Sequence, residues 1–353
     1  MQTHKIIGIM SGTSLDGLDI AYCIFTFKNN KWDFSIEKAE TIIYNPAWRM
    51  ELSTADTLSG NDLWALHVKF GHFIGKHIHE FVHKHNLKVD YIASHGHTVF
   101  HQPHLGYTAQ IGDGASIASE SGINVICDFR STDVAYSGQG APLVPIGDKL
   151  LFADYKYCLN IGGICNISFD NQEHRVAWDV APANIILNYY SAKLDLLFDE
   201  NGDIAASGKL NMELLNKLNN GKYYNLPFPK SLGKEYIFKH FIPLIDSFSL
   251  SIPDILNTIC EHIAVQISRT TNKTNNLKIL VTGGGAFNKY LIERIKAHNN
   301  NEIIIPCEQI INFKEALIFG FLGVLRLNKQ PNCLKEVTGA TINNIGGAIY
   351  IAS

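Results

Sequence analysis

Two segments of the chain carry the same pattern, and that repetition limits the folds open to it more than any other feature. Ile6 to Phe25 is an apolar run, the polar turn Ser11-Gly12-Thr13-Ser14-Leu15-Asp16-Gly17, and a second apolar run. Cys158 to Phe169 repeats the order of apolar strand, polar turn and apolar strand, with Gly162 and Gly163 at its centre. A strand-turn-strand unit near the start of each half predicts two similar domains, each beginning with a hairpin, that face each other across a cleft. The length of 353 residues agrees with about two domains. Ser137 to Leu143, a run of Gly, Pro and polar residues, marks the junction, so the expected division is 1–140 and 141–330. Whether 330–353 returns to the first domain is left open.

The first turn has the chemistry of a phosphate cradle. Gly12 and Gly17 can take φ > 0 and let main chain approach a ligand, while Ser11, Thr13 and Ser14 supply hydroxyls beside exposed amides. Asp16 is the residue type that holds a hydrated Mg²⁺ against phosphate oxygens. A plain hairpin loop needs the same residue types. A third glycine cluster, Gly283-Gly284-Gly285, follows the apolar strand Leu277–Thr282 and leads into a helix, a junction that permits close main-chain approach to a nucleotide. The chain has neither G-x-G-x-x-G nor G-K-[ST], which excludes a Rossmann fingerprint and a Walker A loop.

Other candidates lie between these turns. Val89 to Ala93 reads as a short strand running into a polar turn, Ser94-His95-Gly96-His97-Thr98, where α/β proteins place ligand contacts. His95 and His97 are candidate sugar donors; a metal site with His101 and His104, or ordinary loop residues, are the alternatives. Arg130 ends a strand and offers a planar fork for a carboxylate or phosphate, or for a structural ion pair. Asp179 is expected at a strand end beside a helix whose first turn holds Pro182, where it can act as a general base or as an N-terminal cap.

One pattern is a decoy. His79-Glu80-Phe81-Val82-His83 spells H-E-x-x-H, the zinc-protease signature. At ~100° per residue, however, both histidines lie opposite the apolar stripe that begins at Leu63, so they are expected in solvent.

Composition excludes several classes. A net charge of -3 provides no basic footprint for nucleic acid or anionic membrane. Seven scattered cysteines without C-x-x-C indicate neither a disulfide framework nor a zinc ribbon, and fit reduced thiols in a cytoplasmic protein. The polar turn at residues 11–17 interrupts the first apolar run, so no export signal is expected. Ala316 to Leu325 is about half a bilayer span and predicts a buried helix.

Three glycine-rich turns in this order resemble the sugar kinase, heat-shock chaperone and actin superfamily. Within it, Met10 to Asp19, Ser94 to Thr98 with His101-Gln-Pro, Gln110 to Gly114, Asp128 to Asp133, Gly138 to Leu143, Asn160 to Asn166, Gly283 to Asn288, Glu315-Ala and Thr338-Gly-Ala340 are similar to the bacterial anhydro-N-acetylmuramic acid kinases. The resemblance spans nearly the whole chain. It implies an α/β fold of two actin-like, ribonuclease H-like domains around a nucleotide cleft, with ATP and Mg²⁺ as cofactors. The implied reaction opens the 1,6-anhydro ring of the sugar with water and phosphorylates the freed 6-oxygen, for peptidoglycan recycling. Asp179 matches the family's catalytic aspartate. Residues 11–17, Gly162 and Gly163 would hold phosphates, with Asp16 near the metal and Gly283–Gly285 lining the adenosine pocket. Asn184 and Glu315 would order the sugar side of the site with His95, His97 and Arg130. No nucleic acid or membrane partner is implied, and a homodimer is left open. Two runs depart from the family: Asp179-Val-Ala-Pro182-Ala-Asn184 has Val180 for threonine and Ala181 and Ala183 for glycines, and Lys230-Ser-Leu-Gly-Lys234-Glu235 has Leu232 for threonine and Lys234 for arginine. The alternatives are a kinase for another sugar and a nucleotide-gated sensor on the same scaffold.

Overall fold

The computed structural model describes residues 2–12, 14–172, 174–228 and 230–353. The first part of the chain forms β1 (Gln2–Ser11), β2 (Gly17–Lys28), β3 (Lys31–Ile43), α1 (Pro46–Ser53), α2 (Gly60–His85), β4 (Tyr91–Gln102), β5 (Tyr107–Ile111), α3 (Gly114–Ser121), β6 (Val125–Cys127), α4 (Ser131–Ala135) and α5 (Val144–Leu151). It continues with β7 (Tyr157–Ile161), β8 (Ile164–Asn171), β9 (His174–Pro182), α6 (Asn184–Ser191), α7 (Asp203–Ser207), α8 (Met212–Asn219), α9 (Lys234–Asp246) and α10 (Ile252–Thr271). The last elements are β10 (Lys278–Thr282), α11 (Lys289–His298), β11 (Glu302–Ile304), α12 (Glu308–Leu327), α13 (Lys335–Thr338) and β12 (Ala348–Tyr350).

The chain forms two compact units, Met1–Leu151 with Phe313–Ser353, and Phe152–Asn312. Compared with expected divisions at 140 and 330, the first unit extends through α5. Gly147 in α5 lies against Ile318 of α12, and Lys314 of α12 pairs with Asp148 at 2.8 Å, both side chains buried. The C-terminal segment also belongs to the first unit: β12 pairs antiparallel with β6, and buried Asp133 accepts hydrogen bonds from Thr338 and Asn344.

In the first unit the sheet order is β12-β6-β4-β1-β2-β3, with β5 paired to β4. β1 runs antiparallel to β2 and β2 to β3, while β4 and then β6 continue in parallel. The second unit repeats this as β9-β8-β7-β10-β11, with two antiparallel pairs followed by two parallel ones. This doubled order is the ribonuclease H-like, actin-like topology, and the protein is an α/β protein built of two such units.

Sequence patterning explains the core elements. In α2 the 3.6-residue periodicity buries Leu66, Phe70, Ile74, Ile78 and Phe81. Ser59 caps its start by accepting from the Asp62 amide, and Asn86 ends it in the left-handed conformation at φ 49. Helix α10 crosses the core of the second unit, with Ile255, Ile259, Ile263 and Ile267 buried on it. The Ala316–Leu325 run forms the buried stretch of α12, as its length predicts. Among the described residues no helix is long and apolar enough to cross a membrane.

Candidate active site

The turn between β1 and β2 is organised differently from the reading of its residue types. Neither Gly12 nor Gly17 has positive φ; among the described residues of the turn the left-handed position is Leu15, at φ 58. Gly17 is required by close approach, because a Cβ there would sit 2.6 Å from the Ile42 carbonyl of β3. A Cβ on Gly12 would meet only Ser14 Oγ, at 3.7 Å. Thr13 lies outside the described residues. Ser14 and Asp16 are exposed, but Ser11 is buried. The Tyr44 hydroxyl donates to Ser11 Oγ at 2.8 Å, and Ser11 Oγ lies 3.1 Å from His97 Nδ1. Ser11 thus links three elements internally, and its hydroxyl is not presented at the turn.

The Ser94–Thr98 run is not a turn after a short strand. Strand β4 continues through it to Gln102, because β1 and β5 supply ladder partners on both sides, including Ser11 opposite His97. His95 is buried with both ring nitrogens engaged: Arg130 Nε donates to Nε2 at 3.0 Å, and Nδ1 donates to the Gly96 carbonyl at 2.9 Å. Burial and the adjacent Arg130 charge hold the His95 imidazole well below its ordinary range, so it stays neutral. Arg130 also donates to the Gly140 carbonyl at 2.6 Å.

Glu315 lies within charge range of this arginine, and Asp19 within range of Glu315. Solvent reaches Glu315 on α12, yet crowding by protein still raises its carboxyl, as does the charge of Asp19; Arg130 and Lys314 oppose that rise. Burial also raises Asp19, whose carboxylate accepts from Thr41 Oγ1 at 2.6 Å and is pushed further by Asp16. Exposed Asp16 with Asp19 behind it is an oxygen-only pair under like-charge stress, a donor set that suits Mg²⁺ retaining several waters. Among the described residues no group of three or more His, Cys, Asp or Glu could hold a metal alone. His79 and His83 are exposed, their rings tilted at 54° with centroids 4.3 Å apart.

In the second unit the Gly162-Gly163 turn meets the start of α6. The amides of Ala183 and Ile185 donate to the Gly163 carbonyl at 2.9 and 3.1 Å, and that of Asn184 to Gly162 at 3.2 Å. The turn thereby caps a helix that has no side-chain cap. Asn184 Nδ2 donates to the Ile161 carbonyl at 3.3 Å, and a Cβ on Gly284 would face that same amide at 3.7 Å. Gly283 has φ 81, and any side chain there would meet Asn160 Oδ1 and the Ile161 carbonyl; Gly285 is pressed against the Ile161 side chain. The fold thus brings together Gly162, Gly163, Asn184 and Gly283–Gly285.

Asp179 is inside β9 rather than at a helix cap. Pro182 is the last residue of the strand, because Ile164 in β8 still pairs with it. A bulge places Asp179 opposite Asn166 while Ala181 opposes Cys165, so Val180 is the extra residue and the aspartate is re-aimed. Leu232 N–H donates to its Oδ2 at 2.7 Å, and no described residue bonds Oδ1. Burial raises the Asp179 carboxyl and the Leu232 amide only partly offsets that. A half-buried carboxylate of raised basicity, with one oxygen held and the other open, is what a general base requires. Sequence reading missed Asp19, Tyr44 and the Leu232 amide. Asp19, at least, was visible within the repeated hairpin.

Comparison with known proteins agrees over the full chain. The family model for anhydro-N-acetylmuramic acid kinase matches residues 4–352. The chain is 32% identical to the "Anhydro-N-acetylmuramic acid kinase" of Hydrogenovibrio crunogenus, covering 98% of this chain and 97% of the relative. It is 34% identical to that of Pasteurella multocida, covering 99% and 97%. With Sulfurovum sp. the identity is 32%, over 99% of this chain and 100% of the relative. The doubled topology, the aspartate on β9 and these full-length matches together place the chain in the anhydro-N-acetylmuramic acid kinase family.

Proposed function

We propose that this protein is an ATP-dependent kinase that opens 1,6-anhydro-N-acetylmuramic acid with water and phosphorylates its 6-oxygen, releasing ADP and N-acetylmuramic acid 6-phosphate. The observation that carries this reading is Asp179, whose Oδ2 is held while Oδ1 is left to take a proton. Water attacks the anomeric carbon and passes its proton to Asp179. The bond from that carbon to the 6-oxygen breaks, and the 6-oxygen takes the γ-phosphoryl group from ATP. Positioning and charge stabilisation supply most of the effect in such transfers.

The remaining roles are assigned to each unit in turn. In the first unit, the main chain of residues 12–17 holds phosphate, Asp16 with Asp19 holds Mg²⁺, and Arg130, His97 and Glu315 face the sugar. Mg²⁺ there would offset phosphate charge. His95 serves by fixing Arg130. In the second unit, Gly162 and Gly163 hold phosphate, Gly283–Gly285 line the adenosine and Asn184 orders the sugar side. A sensor has no use for a positioned base, so Asp179 favours an enzyme over that alternative. ATP supply and seven free cysteines support a cytoplasmic setting. The test is incubation with Mg-ATP and 1,6-anhydro-N-acetylmuramic acid, following ADP and 6-phosphosugar. Equal yields of both are expected, and absence of product with wild type overturns the proposal.

A further inference from the structure

Asp179 is held by more than its carboxylate contact, and the chain that holds it runs into the interior of the second unit. Buried Tyr223 donates its hydroxyl to the Asp179 carbonyl at 2.6 Å. The Asp179 amide donates to the Lys230 carbonyl at 3.1 Å, and the Leu232 amide donates to Oδ2. Tyr223, Lys230 and Leu232 therefore grip the main chain of this residue on both sides and its carboxylate as well. Lys230 is itself braced on these tyrosines: Nζ donates to the carbonyls of Tyr223 and Tyr224 at 3.2 and 3.3 Å and lies 4.7 Å over the Tyr223 ring.

The neighbouring Tyr224 fixes this segment to the core. Tyr224 hydroxyl lies 2.6 Å from Nε2 of His262 on α10, and His262 Nδ1 lies 2.7 Å from Asn219 Oδ1 at the end of α8. Gln266 Nε2 donates to that same oxygen at 2.7 Å, and Arg269 donates to the Asn219 carbonyl at 2.9 Å. With Asn219 Oδ1 accepting, His262 Nδ1 carries the proton and Nε2 accepts from Tyr224, so every polar atom of the ring is satisfied. Burial and the Arg269 charge lower His262 to about 3, which keeps the anchor neutral across the working range.

We propose that Tyr223, anchored through Tyr224, His262 and Asn219, is a positioning strap that sets the orientation and basicity of Asp179. This rests on Asp179 being the base. Without the Tyr223 hydroxyl, β9 loosens at its bulge and the Leu232 amide drifts from Oδ2. The carboxylate then loses a hydrogen bond that favours its charged form, so its pKa rises further.

The test compares Tyr223→Phe, Tyr224→Phe, Asp179→Asn and the Tyr223→Phe/Asp179→Asn double variant with wild type, measuring kcat, KM for Mg-ATP, pH profile and melting temperature. The strap predicts that Tyr223→Phe loses about 10- to 100-fold in kcat with KM for Mg-ATP unchanged. The acid limb of its kcat profile moves to higher pH. Tyr224→Phe does the same more weakly, and Tyr223→Phe adds nothing in the Asp179→Asn background. If Asp179→Asn is inactive but Tyr223→Phe keeps the wild-type kcat and acid limb, the strap is overturned and the base stands. A kcat loss with no movement of the acid limb, tracking a lower melting temperature, also overturns it. Wild-type turnover by Asp179→Asn overturns the base and the strap together.

Discussion

The hairpins β1–β2 and β7–β8 begin units of the same topology, yet their turns are used in opposite ways. The first turn presents side chains: Ser14 and Asp16 are exposed, and its left-handed residue is Leu15. The second presents no side chains, and its two carbonyls cap α6. The third strand of each sheet reverses the contrast. β3 forces a glycine on its neighbour at position 17, whereas β9 bulges at Val180 and carries the half-buried aspartate. On the roles proposed above, the duplicated scaffold is divided by chemistry, with the exposed carboxylate Asp16 for metal in one unit and the half-buried Asp179 as base in the other. Desolvation explains the division: a base benefits from raised basicity, while a metal-binding carboxylate needs water around it.

Three substitutions would break or sharpen that contrast. The largest effect is expected at Asp179→Asn, which keeps an acceptor for the Leu232 amide but removes the base; turnover should fall by about 10²- to 10⁴-fold in an assay of ADP and 6-phosphosugar. Next is the steric asymmetry of the turns. Gly17→Ala should cost about 1–3 kcal/mol in denaturant unfolding because the Ile42 carbonyl has to move. Gly163→Ala, with only Ile185 Cβ at 3.8 Å, should stay within about 0.5 kcal/mol. Equal costs would remove the claim that the two turns are built differently.

The smallest effect concerns pH and stability. Because the folded Asp179 carboxyl is raised above 3.8, its contribution to stability is fully present below that value and is lost as pH rises through the folded value. Asp179→Asn should therefore melt at or above the wild-type temperature at pH 7, with the gap closing as pH falls toward 3.8. A variant markedly less stable at pH 7 would mean that the native carboxylate is stabilised rather than desolvated.

Much of this was legible in the residues, and the remainder was not for physical reasons. The doubled hairpin, the α2 stripe and the buried α12 run follow from periodicity, and the structure has all three. Register is not local: β4 absorbs Ser94–Thr98 because β1 and β5 pair with it, and β9 absorbs Pro182 because β8 reaches that far. Side-chain direction was also hidden. Ser11 reads as a phosphate ligand until Tyr44 and His97 are seen on either side of its hydroxyl, and His95 as a donor until Arg130 takes its second nitrogen. Nothing in the spacing of Tyr223 and Asp179, 44 residues apart, announces their hydrogen bond.

On the proposed roles, metal binding lies in the first unit and the base in the second. Calorimetric titration of Mg-ATP into Asp16→Ala and Asp179→Asn tests it most directly. Wild-type affinity is expected for Asp179→Asn and a loss of about tenfold, ~1.4 kcal/mol, for Asp16→Ala. Weakened Mg-ATP binding by Asp179→Asn together with unchanged binding by Asp16→Ala would contradict it.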